Sequence, residues 1–129
     1  MSEEKTFGSF IRKKRLGREI TLRGFAKMLD LSPVHMSNME TDRRAAPKDE
    51  VLARMAQILL LSKEETEVMY DLAAKSKASP RVSGDLPEYI MENDLARVAL
   101  RTAKDMDATD KEWQEFIEKL RNRGAKEDG

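Results

Sequence analysis

The side chains best suited to recognition by hydrogen bonding lie between residues 32 and 40. Small polar groups occupy one face of this stretch, where Ser32, Ser37 and Asn38 each offer a donor, an acceptor or both. The opposite face carries Met36 and Met39, which are apolar. Residue types of this kind bind a partner reversibly, and a short helix could present them together.

Covalent catalysis and metal chemistry have little support in the composition. The chain of 129 residues has no cysteine and a single histidine, His35, so it lacks a thiol nucleophile and any site built from two imidazoles. It also has no glycine-rich phosphate loop. The carboxylates of the last predicted helix are spread around its surface rather than converging: Asp110, Glu112, Glu115 and Glu118. We therefore expect no enzyme activity, no metal and no cofactor.

The net charge of zero conceals a local excess of cations. Residues 1–77 contain 15 Lys and Arg against 12 Asp and Glu, whereas residues 78–129 contain 9 against 12. Between residues 5 and 27 only one acid, Glu19, accompanies eight basic residues, which are Lys5, Arg12, Lys13, Lys14, Arg15, Arg18, Arg23 and Lys27. Such a patch can bind phosphates. The alternative is an ordinary solvated helix face.

Apolar residues at helical spacing predict helices and no strands, which makes the fold all-α. A first, basic helix is expected over 6–16, with Phe7, Phe10 and Ile11 turned inward. Thr21 is a suitable N-cap for a second helix over 22–29. Asp30 lies in the following turn, where aspartate tolerates a left-handed conformation.

The third predicted helix spans 32–40, with Ser32 as its N-cap and a proline in its first position. An apolar fourth helix follows over about 48–60. Ser62 and Glu65 form a capping box for a fifth helix that ends near residue 75. Two short helices joined by a tight turn, preceded by a basic helix and followed by an apolar one, are typical of a helix-turn-helix that places a helix in a DNA groove.

The composition changes after the fifth helix. Residues 78–84 are small and polar and include Pro80, which predicts a linker between a domain over 1–77 and a helical extension over 85–129. In the extension, Thr109 and Glu112 form another capping box before a last helix, and the tail after Arg121 is expected to be frayed.

Residues 7–73 resemble the Cro/repressor (XRE) type of five-helix, helix-turn-helix DNA-binding domain. The resemblance lies in the order of the helices and in several positions: Thr21, the pair Phe25 and Ala26, the pair Leu31 and Ser32, the pair Met36 and Ser37, Glu40, and the apolar run 51–61. It implies a five-helix domain with a short helical C-terminal extension. It also implies a sequence-specific transcriptional regulator, a repressor, that binds operator DNA as a dimer.

The resemblance assigns roles to individual residues. The family lays its third helix in the major groove, which gives as base-contacting residues Ser32, Pro33, Val34, Ser37 and Asn38. The Asn38 amide matches the N6 and N7 edge of adenine, and Val34 matches a thymine methyl. The expected phosphate contacts are Lys13, Lys14, Arg23, Lys27, His35, Arg43 and Arg44. Arg15 and Glu40 fall at positions that form a structural ion pair between the first and third helices.

Three positions depart from the family pattern. Leu22 replaces a glutamine that binds a phosphate, and Asp30 and Asp42 replace glycines. Two additional carboxylates near a phosphate-binding surface are expected to weaken its attraction for DNA. A protein-interaction module that no longer binds DNA is therefore a further alternative.

The extension needs a surface on which to bury its apolar side chains, especially Trp113, Phe116, Ile117 and Leu120. They can pack on the first domain, form a homodimer interface, or bind a partner protein. The partner would be a toxin if the chain is an antitoxin that regulates its own operon, which is the principal alternative function. No apolar run is long enough for a membrane helix, and the acidic N-terminus does not resemble a signal peptide, so we expect a cytoplasmic protein.

Overall fold

The computed structural model describes residues 6–78 and 81–128, and within them it confirms an all-α fold. The eight helices are α1 (Phe7–Gly17), α2 (Leu22–Met28), α3 (Pro33–Glu40), α4 (Asp49–Ile58), α5 (Lys63–Lys75), α6 (Pro87–Glu92), α7 (Asp94–Asp105) and α8 (Asp110–Asp128). Lys5 of the basic patch and residues 79 and 80 of the predicted linker lie outside the described residues.

Local capping explains where the helices begin. Thr6, Thr21, Ser32 and Ser62 each accept a hydrogen bond from the backbone N–H three residues later. The hydroxyl of Thr109 does the same for Glu112, 3.2 Å away. At the other end of the chain α8 continues to Asp128, and the fraying expected after Arg121 stays a prediction.

Five helices end in the same way, although no glycine is involved. The residue that follows the C-cap has a positive φ of 51–61° in each case, and these residues are Glu19, Asp30, Asp42, Leu60 and Asp107. After each of them, the next N–H bonds to a carbonyl five residues back, as in Leu31 N to Ala26 O at 2.9 Å. This is the Schellman motif, which satisfies the last carbonyls of a helix.

The residue after the left-handed position usually anchors the turn to the core. Ile20, Leu31 and Leu61 hold that position after α1, α2 and α4, and all three pack against the buried cluster. After α3 the same position is taken by Arg43, which is exposed. At this position the loop after α3 therefore lacks the apolar side chain that the turns after α1, α2 and α4 have, and its apolar contact with the core is made later, by the buried Ala46.

One core holds α1–α5 together. Its buried apolar residues are Phe7, Phe10, Ile11, Phe25, Ala26, Leu29, Met36, Met39, Ala46, Val51, Leu52, Met55, Leu59, Met69 and Ala73. The helical periodicity had placed most of these inward. Helix α3 packs against both α1 and α2, and α5 packs against α1 and α4. Contacts with α1 and α2 thus fix the position of α3, and one face of α3 points outward.

The chain divides into two compact units, Met1–Pro87 and Glu88–Gly129. In the first unit, the segment after α5 packs back on its neighbours: Ser83 is buried and donates a hydrogen bond to the Asp71 carboxylate. In the second unit, none of residues 88–124 is buried. The proposed limits of the domain (1–77), linker (78–84) and extension (85–129) stay a prediction.

No helix within the described part of the chain is both long and apolar enough to span a lipid bilayer.

The left-handed leucine after α4 gives a stability prediction. Leu60 has a φ of 52° and a side chain that is 66% exposed, so it bears the backbone strain without compensating burial. We expect Leu60→Gly to stabilise the protein by about 1 kcal/mol, because glycine adopts this conformation without a Cβ clash. Thermal unfolding should show a Tm higher by roughly 3 °C.

The matched control is Ala53→Gly, an exposed position within α4. The same new residue should there destabilise by about 1 kcal/mol, because helical glycine is entropically unfavourable. A Tm for Leu60→Gly at or below that of the wild type would contradict the assignment of strain.

Candidate nucleic-acid interface

Helix α3 separates an apolar face from a polar one. Met36 and Met39 are fully buried against α1 and α2, whereas Val34 is 70% exposed. Ser32 is exposed as well. The remaining predicted base-contacting residues, Pro33, Ser37 and Asn38, are half-buried at the edges of this face, and so is His35. The structure therefore places the predicted base-contacting residues on or beside the outward side of one short helix.

Asn38 supports the following loop through its backbone and keeps its side chain available. Its carbonyl accepts hydrogen bonds from the N–H groups of Arg43 (2.9 Å) and Arg44 (3.1 Å). Within residues 6–78 and 81–128, its side-chain amide bonds to no other group. A half-buried amide with both a donor and an acceptor unused can bind the edge of a base.

A buried ion pair fixes α3 against α1. The Arg15 guanidinium donates from Nε to Glu40 Oε2 (2.7 Å) and from Nη2 to Glu40 Oε1 (2.9 Å). Its Nη1 donates to the Ile20 carbonyl at 2.9 Å. The hydrogen bond with Glu40 raises the pKa of Arg15, although burial opposes this. The pair holds the C-terminal end of α3 in a single orientation.

Several cations of the basic patch are engaged within the protein. Arg15 pairs with Glu40, as described above. Arg18 donates from Nε to the Leu59 carbonyl (2.9 Å) and from Nη2 to the Leu60 carbonyl (3.3 Å), and so caps the end of α4. The contact of Arg15 is the expected ion pair, whereas the capping of α4 by Arg18 is a structural role that the sequence does not reveal.

Lys14, one of the predicted phosphate contacts, is also engaged within the protein. Its Nζ lies 2.5 Å from Glu65 Oε2 on α5 and 5.5 Å from the centre of the Phe10 ring. The hydrogen bond from Lys14 is the main cause that lowers the pKa of Glu65 to about 2. Since the pKa in the folded state lies below the usual value, this contact stabilises the fold above about pH 4.5 and is lost as the pH falls towards 2.

The other predicted phosphate contacts lie at the surface. Arg23 and Lys27 are exposed on α2, and Arg43 and Arg44 are exposed in the loop after α3. Lys13 is exposed on α1 and lines a shallow cleft together with Arg12 and Thr41. Exposed cations thus occur on the helix before α3, on the loop after it and on α1.

The two carboxylates that depart from the family pattern each have a partner. Asp42 accepts hydrogen bonds from the Gly8 N–H (3.0 Å) and from Thr6 Oγ1 (2.7 Å) at the N-terminus of α1. Asp30 is exposed, and its carboxylate lies 3.7 Å from the Arg54 guanidinium. Leu22, the third departure, is half-buried and packs against the core. The charge of Asp42 is therefore balanced by helix α1, which the sequence did not indicate.

Gly8 is a second position whose role the sequence did not reveal. A Cβ at this residue would lie 2.4 Å from the Met39 carbonyl oxygen and 2.6 Å from that of Glu40. Because both obstacles are backbone atoms, only glycine allows α1 to approach the end of α3 so closely. The only signal in the sequence is a glycine in the first turn of a helix, where it is otherwise unfavourable.

No group of three or more His, Cys, Asp or Glu side chains is placed to hold a metal ion among the residues that the structure describes.

The buried ion pair predicts non-additive mutations. Arg15→Met should destabilise by roughly 3–5 kcal/mol, because it leaves the Glu40 carboxylate buried without a cation. Adding Glu40→Met removes that charge, and we expect the double variant to be more stable than Arg15→Met alone. Urea unfolding of the wild type, the two single variants Arg15→Met and Glu40→Met, and the double variant measures the four free energies of unfolding.

Glu50→Gln is the control for this experiment, because Glu50 forms an exposed pair with Lys48 at 4.0 Å and should contribute almost nothing. Independent, additive losses from the two core substitutions would show that the two side chains do not act as a pair.

Comparison with known proteins gives one structural likeness. No protein-family model and no curated protein sequence matches this chain. Among solved structures, the chain is similar to one described as a complex of the SinR protein and the SinI protein. The identity is 15%, the match covers 93% of this chain and 99% of that chain, and the TM-score is 0.47. Likeness at this level does not assign the chain to a family.

Proposed function

We propose that this chain is a sequence-specific DNA-binding transcriptional regulator, a repressor that binds operator DNA through α3 as a homodimer. The observation that carries the proposal is the outward face of α3. It combines an exposed Val34 with an unengaged Asn38 amide, and it is flanked by exposed arginines on α2 and on the loop after α3.

The dimensions of a helix suit this role. An α-helix with its side chains is about 10–12 Å wide, and the major groove of B-DNA is about 12 Å wide. With Met36 and Met39 held in the core, the outward face of α3, which carries Val34, is the face that can enter the groove. Arg23 and Lys27 would bind the backbone on one side and Arg43 and Arg44 on the other, which positions the helix.

Dimerisation is supported by the second unit, which has no buried residue of its own in 88–124. Its exposed apolar side chains include Leu95 (79%), Met106 (75%) and Phe116 (53%). A helical unit of this size seldom stabilises its own core. A second copy would cover these residues by forming a helical bundle, and a twofold dimer would read two half-sites.

The aromatic pair on α8 favours a second candidate, an antitoxin whose C-terminal helices bind a toxin. Trp113 and Phe116 pack edge to face with their ring centres 6.2 Å apart, yet both remain partly exposed. With Ile117 and Leu120 they form an apolar surface that could bind another protein. In this candidate the helix-turn-helix regulates the operon of the pair.

The DNA-binding proposal predicts a base-specific effect of Asn38. Operator sequences are first selected from a random duplex pool, and affinities are then measured over a range of salt. Asn38→Ala should lose roughly 1–3 kcal/mol of discrimination at one base pair. Lys27→Ala should weaken binding to all sequences alike and reduce the salt slope by about 1. If the wild-type protein binds no duplex DNA at low salt concentration, the DNA-binding proposal is wrong.

The dimer proposal predicts a change of mass. Phe116→Glu puts a charge into the expected interface, and light scattering should show a shift from a dimer towards the 14.8 kDa monomer. Asn122→Glu adds the same charge at another exposed position of α8 and should leave the dimer intact. A wild-type monomer that forms a stoichiometric complex with a small basic protein from the same operon would instead favour the antitoxin.

A further inference from the structure

The first residues of the loop after α3 are held by a charged contact, and the apolar anchor of the loop, the buried Ala46, comes only four residues after Asp42. The turns after α1, α2 and α4 place Ile20, Leu31 and Leu61 against the core at the position that Arg43 occupies after α3. Asp42, one residue earlier, accepts hydrogen bonds from Thr6 Oγ1 and from the Gly8 N–H. This contact links the end of α3 to the start of α1, which lies 34–36 residues earlier in the chain.

The two arginines expected to bind phosphate lie directly beside this contact. Arg43 and Arg44 line one cleft with Thr6 and Asp42. Their backbone N–H groups both bond to the Asn38 carbonyl, so the path of the loop starts at a fixed point on α3. Two long side chains on a surface loop gain affinity for a phosphate only if the loop is already ordered, because ordering it on binding costs entropy.

We propose that Asp42 is a positioning residue for DNA binding: its contact with the N-terminus of α1 orders the loop that presents Arg43 and Arg44 to the phosphate backbone. The inference rests on the proposed DNA-binding function. It reverses what the charge of Asp42 alone suggests. A carboxylate at a DNA-binding surface ordinarily repels phosphates and weakens binding. Here, removing the carboxylate would disorder the loop that carries Arg43 and Arg44, and would therefore weaken binding.

The balance of charges supports this reversal. The carboxylate of Asp42 lies at the positive end of the α1 dipole and receives two hydrogen bonds, so its field towards solvent is reduced. Arg43 and Arg44 are exposed, and no ion pair holds either of them among the described residues. The loop therefore presents two exposed cations, while its one carboxylate already accepts hydrogen bonds from the start of α1.

Asp42→Gly is the main test, with Asp30→Gly as its matched control. Both aspartates have a φ of 57–61° at the end of a short helix, so glycine fits both backbones. Asp42 accepts two hydrogen bonds from the start of α1, whereas Asp30 forms only a longer, exposed ion pair of 3.7 Å with Arg54 on α4. We expect Asp42→Gly to weaken operator binding roughly tenfold, as when a charged hydrogen bond to a phosphate is lost. Asp30→Gly should leave binding unchanged or tighter.

Two readouts separate positioning from other effects of the substitution. The salt slope of Asp42→Gly should fall by about 1 for each phosphate contact that is lost. Combining Asp42→Gly with Arg44→Ala should cost less than the sum of the two separate losses, because the loss of Asp42 already weakens the Arg44 contact. A loss that came only from reduced folding would leave the slope unchanged and add to the loss from Arg44→Ala. Thermal unfolding establishes that each variant is folded at the temperature of the assay.

Asp42→Asn keeps the shape of the side chain and its tolerance of the left-handed conformation, and it should give an intermediate affinity. Tighter binding with a steeper salt slope for Asp42→Gly would show that the carboxylate acts only by repulsion, and it would overturn the inference while leaving the DNA-binding function intact. Additive losses in the double variant would overturn it too. If the wild-type protein itself binds no duplex, both proposals fail.

Discussion

The rest of the interface depends on the buried contact between Arg15 and Glu40. A helix of eight residues has little stability of its own, so the orientation of α3 must come from its neighbours. The apolar residues Met36 and Met39 favour burial of one face but tolerate sliding. The two parallel hydrogen bonds of the ion pair allow very little displacement of α3 relative to α1. The third bond, from Arg15 to the Ile20 carbonyl, links the pair to the end of α1.

Charge counted along the sequence overstates the charge available to a ligand. Of the basic residues near α1, Arg15 is buried with Glu40, Arg18 caps α4 and Lys14 pairs with Glu65. The pair of Arg15 with Glu40 was expected from the family resemblance, but no local pattern indicated the partners of Lys14 and Arg18, which lie 51 and 41 residues away. The repulsion of DNA by acidic residues is overstated in the same way. Asp42 is expected from the sequence to repel phosphates, but in the fold its carboxylate accepts hydrogen bonds from the start of α1.

Features set by neighbouring residues were predictable. The N-caps Thr21 and Ser32, the capping box of Ser62 and the left-handed conformation of Asp30 follow from residues within one turn of helix. The inward position of Met36 and Met39 follows from helical spacing. Apart from the Arg15–Glu40 pair, which the family resemblance implied, contacts between distant segments were not predictable. Gly8 shows the reason: its lack of a side chain matters only because α3 ends 2.4–2.6 Å from where its Cβ would be.

The small number of available cations makes the proposed function depend on the second unit. Each helix-turn-helix would offer α3 and a few exposed basic side chains, and each phosphate contact contributes a limited, salt-sensitive share of the affinity. Joining two such units makes the second binding event intramolecular, which raises the overall affinity without any new contact to DNA. The exposed apolar side chains of α7 and α8, such as Leu95 and Phe116, would then have a direct role in DNA binding. Loss of that interface would weaken operator binding even though α3 itself is unchanged.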